Sequence, residues 1–235
     1  MTSTKRIVCL ANSRKLNGRC IAGREVVGGG PGQWIRPVSS REHQEVSEYE
    51  RQYEDGSDPS VLDVIDVPLV DARPSGHQTE NWLLDPKWYW SRVGRVAWTD
   101  LMAYADQGGP LWLNGDSTYS GMNDRITLEN LLALRSSLRL IHVNRLQVAV
   151  FSPGEAFGNS KRRVQARFDH ETDTYWLWIT DPMYERQYLS QADGNYEQGE
   201  CYVTVSLGEP YQGACYKLVA AVIQPSSNTA DRGTP

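Results

Sequence analysis

Basic and aromatic side chains share one face of the segment KRRVQARFDHETDTYWLWITDP, residues 161–182. Two runs of alternating apolar and polar residues flank a turn-forming stretch, which predicts a β-hairpin. If the aliphatic side chains mark the buried face, Arg163 and Arg167 share the opposite face with Trp176 and Trp178. Because bases stack on indole rings and phosphates bind guanidinium groups, this face predicts a surface for single-stranded nucleic acid. The alternative is that the indoles pack against a neighbouring domain and the arginines are solvated.

Two further groups of cations are candidate phosphate contacts. Lys161 and Arg162 precede the hairpin and, with its two arginines, place four cations within seven residues. A charge run is usually a solvated face, but the adjacent tryptophans favour binding here. Near the N-terminus, Arg14, Lys15 and Arg19 lie on a predicted hairpin connection. Connecting loops are exposed and often carry ligand contacts, so this cluster is a second predicted phosphate site, with a solvated basic turn as the alternative.

Three more residues are candidates because of the faces they share. Trp34 and Arg36 alternate with Ile35, so burial of Ile35 would put the indole and the guanidinium on one exposed face. The alternative, favoured by the size of the side chain, is that Trp34 is at least partly buried. On the last predicted strand Tyr216 and Lys217 point to opposite faces, and we expect Lys217 to face a ligand alongside the hairpin.

Composition limits the kinds of partner. The chain has 235 residues and a net charge of −5, which excludes a protein held on nucleic acid by its overall charge. Charge is uneven, since the first 24 residues contain six cations and no acid, whereas residues 42–66 contain nine acids and a single arginine. A local basic face therefore remains compatible with the composition. Eight Trp and twelve Tyr against three Phe favour binding surfaces as well as a β-rich core.

Catalytic and metal-binding motifs are absent from the sequence. None of the phosphate-loop, dinucleotide-binding, hydrolase or zinc-protease patterns occurs, so we predict a non-catalytic protein with no cofactor. The four cysteines lack CxxC spacing and the four histidines are scattered, so no metal site is predicted either. Neither a signal peptide nor a membrane-length apolar run is found, and we expect a cytoplasmic location with reduced thiols and no membrane partner.

Alternating apolar segments predict an all-β fold with a small helical connector. Residues 1–90 and 138–224 each carry four or five candidate strands, the number that a small five-stranded barrel needs. Residues 91–137 include two helix-like segments and form the connector. The tail, residues 225–235, is rich in Pro, Ser and Thr and is predicted to be disordered.

Three segments in this order resemble a bacterial family named for two OB folds in one chain, the dual-OB-containing domain. They are IVCLANSRKLNGRCIAG with WIRPVS (residues 7–23 and 34–39), ITDP (179–182) and SLGEPYQGACYKLVAAVI (206–223). The resemblance implies two OB-type barrels and a role in binding nucleic acid, in prokaryotic defence or genome-conflict systems. It supplies no catalytic residues.

Three functional hypotheses follow. The first is a non-catalytic module that binds single-stranded DNA or RNA with weak sequence preference, with cations on phosphates and aromatic rings on bases. The second is a sensor for a nucleotide or another small ligand that gates a partner effector, which fits the acidic composition better. The third is an adaptor whose exposed aromatic residues contact a protein encoded nearby. The sequence leaves open the choice between DNA and RNA, the sequence specificity, any catalytic activity, the orientation of the two barrels and the oligomeric state.

Overall fold

The structure, a computed structural model, describes residues 2–225, and the predicted disordered tail lies outside them beyond Pro225. The fold is all-β, and its strands are β1 (Ser3–Lys15), β2 (Gly18–Val27), β3 (Gly30–Val38), β4 (Asp63–Ala72), β5 (Asn81–Leu84), β6 (Ser91–Arg95), β7 (Arg125–Thr127), β8 (Leu138–Val143), β9 (Leu146–Phe151), β10 (Arg163–His170), β11 (Asp173–Ile179), β12 (Gly194–Gln198), β13 (Cys201–Leu207) and β14 (Ala214–Ile223). The short α-helices are α1 (Glu48–Arg51), α2 (Leu128–Leu131) and α3 (Pro182–Leu189). Short 3₁₀ helices span Trp98–Ala103 and Glu155–Phe157.

Strands β1 to β5 close the first barrel. One end of β1 pairs with β2 and its other end pairs with β4, so the order β1-β2-β3-β5-β4 returns to β1. All of these pairings are antiparallel except that of β3 with β5. Strand β6 adds to β4 at the side of the barrel. A closed sheet of five strands is the OB-type architecture that the sequence predicted.

The second barrel repeats this order with one strand broken in two. Strand β8 pairs with β13 and β9 pairs with β10, so these consecutive segments together take the place that β1 occupies in the first barrel. The order then runs β9-β10-β11-β14-β13-β8, and the single parallel pairing is again that of the third strand with the fifth. Strand β12 adds to β9, and β7 adds to β14. The fold is therefore two OB-like five-stranded barrels.

The two barrels pack together through a common apolar cluster. Strand β1 buries both of its faces: Ile7 and Cys9 lie in the interior of the first barrel, whereas Val8 and Leu10 point outward into the cluster. The second barrel contributes outer-face residues of β8, β13 and β14, namely Leu138, Leu140, Tyr202, Ala220, Ala221 and Ile223. Across this shared cluster the Thr204 hydroxyl donates a hydrogen bond of 2.5 Å to the Leu10 carbonyl. The outer face of β1–β3 is therefore covered by the second barrel.

The connector contributes to both barrels. Strands β6 and β7 lie within residues 91–137 and pair with the first and the second sheet respectively. Between them, the Asp106 carboxylate accepts hydrogen bonds from Arg24 Nη2 at 2.5 Å and from the backbone N–H of Leu140 at 2.8 Å. Asp106 thus joins a strand of one barrel to a strand of the other. The division of the chain at residues 90 and 137 stays a prediction.

One helix, α3, lies outside the connector, where the sequence analysis predicted no helix. Helix α3 begins after Asp181, whose carboxylate accepts from the backbone N–H groups of Met183 at 3.0 Å and Tyr184 at 3.2 Å. Pro182 occupies the first helical position, where its missing N–H costs no hydrogen bond. The Asp-Pro pair is therefore a helix start that the sequence contained. None of the helices in residues 2–225 is long and apolar enough to cross a membrane.

We expect Leu140→Ala to destabilise both barrels together. The side chain is fully buried in the shared cluster, and such a truncation costs about 2–5 kcal/mol of unfolding free energy. Urea unfolding followed by circular dichroism and by tryptophan fluorescence checks this, with coincident transitions shifted to lower urea. Two separate transitions, of which only one shifts, would show that the barrels fold independently.

Candidate nucleic-acid interface

The predicted hairpin is formed by β10 and β11. They pair antiparallel, with Arg167 opposite Trp176 and Gln165 opposite Trp178. The intervening side chains lie in the core of the second barrel; they are Val164, Ala166, Phe168, Tyr175, Leu177 and Ile179. The arginines and tryptophans therefore share the outer face, which confirms the prediction about the faces of this hairpin.

Five side chains on this outer face stack in a continuous row, which we call the outer ladder: Arg163, Trp178, Phe151, Arg167 and Trp176. The Arg163 guanidinium lies 4.0 Å from the centre of the Trp178 ring, and that ring lies 5.7 Å from the Phe151 ring. The Arg167 guanidinium lies 5.6 Å from Phe151 and 4.6 Å from Trp176. All five side chains are half-buried. Because the side chains already hold one another in place, a ligand that binds here has less ordering to impose.

Neither ladder arginine forms an ion pair in the described part of the chain. Within residues 2–225, neither Arg163 nor Arg167 has an acidic side chain within 4.0 Å. Burial lowers the pKa of both guanidinium groups from its ordinary value, because the surrounding rings exclude water from the charge. Arg167 Nε donates to the Gln165 side-chain oxygen at 2.9 Å, which fixes its plane. An anion at this face would supply the missing negative charge.

A segment of the connector is held beside the ladder. The Gln165 amide donates to the Ser120 carbonyl at 2.5 Å, and the backbones of Met122 and Trp176 pair as an isolated bridge. Next to these contacts, Tyr119 is 86 % exposed and packs edge-on against Phe157, which is 77 % exposed. This exposed aromatic pair therefore lies beside the residue that contacts Gln165 of the hairpin.

Phe151, Tyr119 and Phe157 were missed by sequence reasoning. The alternation of β9 contained the signal for Phe151, since buried Val148 and Val150 put it on the outer face. Tyr119 and Phe157 lie in loops that are distant in sequence, and only the fold brings them together.

The cations that precede the hairpin divide into an exposed one and an anchored one. Lys161 is exposed in the loop between β9 and β10. Arg162 is tied to the end of α3: its Nε contacts the Asp193 carboxylate at 2.6 Å, and its other nitrogens donate to the carbonyls of Leu189 and Gln191. We therefore assign Arg162 a structural contact, and Lys161 alone remains available to a ligand.

The N-terminal cluster docks the first hairpin onto the second barrel. Both terminal nitrogens of Arg14 contact the Glu185 carboxylate, Nη1 at 2.6 Å and Nη2 at 3.1 Å. The backbone N–H of Arg14 donates to the Thr180 carbonyl at 2.8 Å. Lys15 Nζ lies 2.7 Å from the Glu209 carboxylate. Arg19 is half-buried and, within the described residues, has no acidic side chain within 4.0 Å. The structure thus brings the N-terminal cluster next to the end of β11.

Trp34 and Arg36 are both buried, which confirms the alternative favoured for Trp34 and corrects the prediction that the two side chains form an exposed pair. Ile35 does point inward, but the opposite face of β3 is covered, and Trp34 belongs to the shared cluster. Arg36 is 4 % exposed and contacts Glu80 at 3.1 Å and the Ser137 hydroxyl at 2.6 Å. Alternation correctly predicted that Trp34 and Arg36 share one face of β3. The second barrel covers that face, so neither side chain is exposed to a nucleic acid.

Lys217 is also interior, contrary to the expectation that it faces a ligand. It is 1 % exposed, and its Nζ donates to the Leu113 carbonyl at 2.7 Å and to the Asn114 side-chain oxygen at 2.8 Å. The ammonium also lies 5.3 Å from the Tyr175 ring. Burial lowers the pKa of Lys217 to about 8, while Asp124 and Asp173 act in the opposite direction. The connector loop around Leu113 and Asn114 therefore covers Lys217, and the side chain does not face a ligand.

We expect Lys217→Met to change how stability depends on pH. An unfolded lysine keeps its proton to about pH 10.4, whereas the folded one releases it near pH 8, so raising the pH through this window stabilises the wild type. The wild type should gain about 1 kcal/mol of unfolding free energy over the variant between about pH 7 and pH 9. Urea unfolding at both values measures this. The buried thiols Cys9 and Cys201, with pKa values raised to about 12, act equally in both proteins. Parallel pH profiles would contradict the prediction.

In residues 2–225, no group of three or more His, Cys, Asp or Glu side chains is placed to hold a metal ion. The four cysteines are free thiols, and Cys9, Cys201 and Cys215 are buried.

Comparison with known families identifies the whole of this architecture. The model of the dual OB-containing domain matches residues 5–222, which includes nearly all of both barrels. The chain belongs to the dual OB-containing domain family. Comparison with curated proteins and with solved structures finds no significant match.

Membership of the dual OB family gives the outer ladder a specific position. OB barrels bind oligonucleotides on the face of their second and third strands and on the flanking loops. In the second barrel of this dual OB protein those strands are β10 and β11, which carry four of the five ladder residues, and the loop before β10 carries Phe157. In the first barrel the corresponding strands are β2 and β3, whose outer face is buried in the shared cluster. Of these two corresponding faces, that of the second barrel is the one that stays partly exposed in the described residues.

Proposed function

We propose that this protein is a non-catalytic module that binds single-stranded DNA or RNA along the outer ladder. The observation that carries the proposal is the interleaving of two arginines with three aromatic rings on the half-exposed outer face of the second barrel. In the described residues neither arginine forms an ion pair. The ladder arginines would contact backbone phosphates, and the indoles would stack on bases. Every base has a flat π face, so sequence preference would be weak. A setting in bacterial defence and a cytoplasmic location are proposals that rest on the sequence alone.

The proposal predicts that the nucleic acid contacts the ladder and nearby cations alone, and that its affinity is moderately sensitive to salt. The net charge of −5 provides no general attraction, so the affinity would come from the ladder, Lys161 and the neighbouring cations. Two to three phosphate contacts at the ladder arginines and Lys161 correspond to a slope of about −1 to −2 in log affinity against log salt for a short single strand.

Fluorescence anisotropy tests the proposal. Labelled single-stranded DNA and RNA of about 6, 12 and 24 nucleotides, spanning the site sizes of OB folds, are titrated at about 50 and 200 mM salt. We expect saturable binding that strengthens with length and weakens with salt, and weaker binding to a duplex of the same sequence. No binding at low salt, or equal binding to duplex and single strand, would contradict the proposal.

A second candidate function, the sensing of a small ligand, is favoured by a cleft between the barrels. This apolar cleft has a volume of about 360 Å³, within the range of small-molecule sites. Its lining comes from both barrels and includes Val38, His43, Gln78, Leu207 and Leu218. A ligand bound there would contact both barrels at once.

Thermal unfolding with a panel of mononucleotides separates the two candidates. A sensor of this kind would be stabilised by one ligand, with an affinity that is independent of strand length and unchanged in a Trp178→Ala variant. The strand-binding proposal instead expects mononucleotides to bind weakly and through the ladder. Stabilisation by no member of the panel would count against a nucleotide sensor.

A further inference from the structure

A second basic surface lies where the first hairpin meets α3. A cleft of about 550 Å³ opens there, between the end of β1 and the helix. Four arginines line it, and we call it the arginine cleft; they are Arg14, Arg19, Arg51 and Arg186. The lining contains only two acids, Glu48 and Glu185, and no aromatic residue.

The charges of the arginine cleft are only partly balanced. Arg14 forms an ion pair with Glu185, and Arg51 Nη2 contacts the Asp58 carboxylate at 2.8 Å. Arg51 is 6 % exposed, and its Nε is buried without a hydrogen-bond partner. Arg186, like Arg19, has no acidic side chain within 4.0 Å in the described residues. Two guanidinium groups, those of Arg19 and Arg186, therefore remain for an anion.

The neighbouring arginines of the cleft repel the charge of Arg19. Its pKa is lowered first by burial and then by the charge of Arg51, with a further contribution from Arg14, while Asp58 and Asp181 act in the opposite direction. A bound anion beside Arg19 would oppose the repulsion from Arg51 and Arg14 more directly than the surrounding acids do.

The arginine cleft adjoins the end of the outer ladder. Arg163, the last ladder residue, lies close enough to Glu185 and Arg14 for both to act on its pKa, Glu185 raising it and Arg14 lowering it, after the larger lowering by burial. Arg14 is in turn hydrogen-bonded to Thr180, which directly follows β11. The outer ladder thus ends at Arg163, within electrostatic range of the arginine cleft, and the backbone hydrogen bond of Arg14 places the cleft beside the end of β11.

We propose that the arginine cleft holds the sugar-phosphate backbone of the same strand whose bases stack on the outer ladder, so that one track crosses both barrels. The division of chemistry supports this, since the ladder provides rings and the cleft provides guanidinium groups without rings. A mononucleotide would find no base platform in the cleft, whereas a continuous strand gains phosphate contacts there. The inference rests on the proposed function and adds Arg51 and Arg186 to its residues.

Strand length and charge removal together test the single track. The variant Arg19→Ala with Arg186→Ala removes two cations that contact no acid, and Arg92→Ala, an exposed arginine on β6, is the matched control. Oligonucleotides of about 6 nucleotides fill the ladder alone, and those of about 24 also reach the cleft. We expect the double variant to bind the long strand about tenfold more weakly, with a salt slope reduced by about 1.4. Its binding of the short strand should equal that of the wild type.

The outcomes separate this inference from the function on which it rests. If the double variant, with an unchanged melting temperature, binds the long strand as the wild type does while the ladder variants do not, the strand leaves the ladder by another path and the single track is wrong. An equal loss for the long strand in Arg92→Ala would reduce the effect to general charge and also overturn the inference. Failure of the wild type to bind any strand would overturn both proposals.

Discussion

Replacing Trp176 and Trp178 together with Ala is expected to weaken single-strand binding by two orders of magnitude or more while the protein stays folded. Each indole stacked on a base contributes about 1–3 kcal/mol, and about 1.4 kcal/mol corresponds to a factor of ten in affinity. The loss should exceed that of the two rings alone, because Arg163 lies 4.0 Å from one ring and Arg167 lies 4.6 Å from the other. Without the rings, both guanidinium groups lose the support that orients them towards phosphates.

Trp88→Ala provides the matched control for this variant. Trp88 is 62 % exposed and lies shortly before β6, on the other barrel. Anisotropy titrations should show an unchanged affinity for this control, and thermal melts should show that the double variant remains folded. If the double variant binds as tightly as the control, the bases stack elsewhere and the outer ladder is not the site.

Arg36→Ala is expected to cost about 3–5 kcal/mol of unfolding free energy, because it leaves a buried carboxylate without its cation. Glu80 is 6 % exposed and contacts Arg36 Nη2 at 3.1 Å, and its other neighbour is the hydroxyl of Ser137, which belongs to the approach to β8. The guanidinium also donates to the Asn81 side chain at 3.2 Å. Arg36 therefore links the first barrel to the start of the second, and urea unfolding should show the loss.

The partner substitution makes this test specific. Combining Arg36→Met with Glu80→Leu removes both charges and should destabilise the protein less than Arg36→Ala alone, since apolar replacement of a buried pair is often neutral. A stable Arg36→Ala variant with reduced affinity for single strands would instead return Arg36 to the ligand-binding residues predicted from the sequence.

Period-two alternation predicted which side chains share a strand face but not what covers that face. For the hairpin β10–β11 the outer face is open, so the prediction for Arg167 and Trp176 was confirmed as a shared surface. For β3 the same reasoning was correct about Ile35, yet the opposite face is packed against strands more than a hundred residues later in the chain. Lys217 is similar, because the connector at Leu113 covers it. Contacts between distant segments are a property of the fold and leave no mark in local spacing.

The architecture could be predicted from the sequence more fully than the site. Two barrels and their order along the chain followed from strand counts and from the family resemblance, and the family match confirms them. The orientation of the barrels decided everything about the site: it buries one ligand face, leaves the other open, and brings Arg14 beside Glu185 of α3. No pattern in the sequence contained that orientation.

Cross-linking most directly tests the central claim that a single strand lies on the outer ladder. The wild type is irradiated with an oligonucleotide containing a photoreactive pyrimidine, digested, and mapped by mass spectrometry. The account predicts adducts on the aromatic residues of β9–β11, at Phe151, Trp176 or Trp178, and their loss on competition with unlabelled single strand. Adducts confined to other segments, such as the exposed Trp88 and Tyr89, would place the strand elsewhere and contradict it.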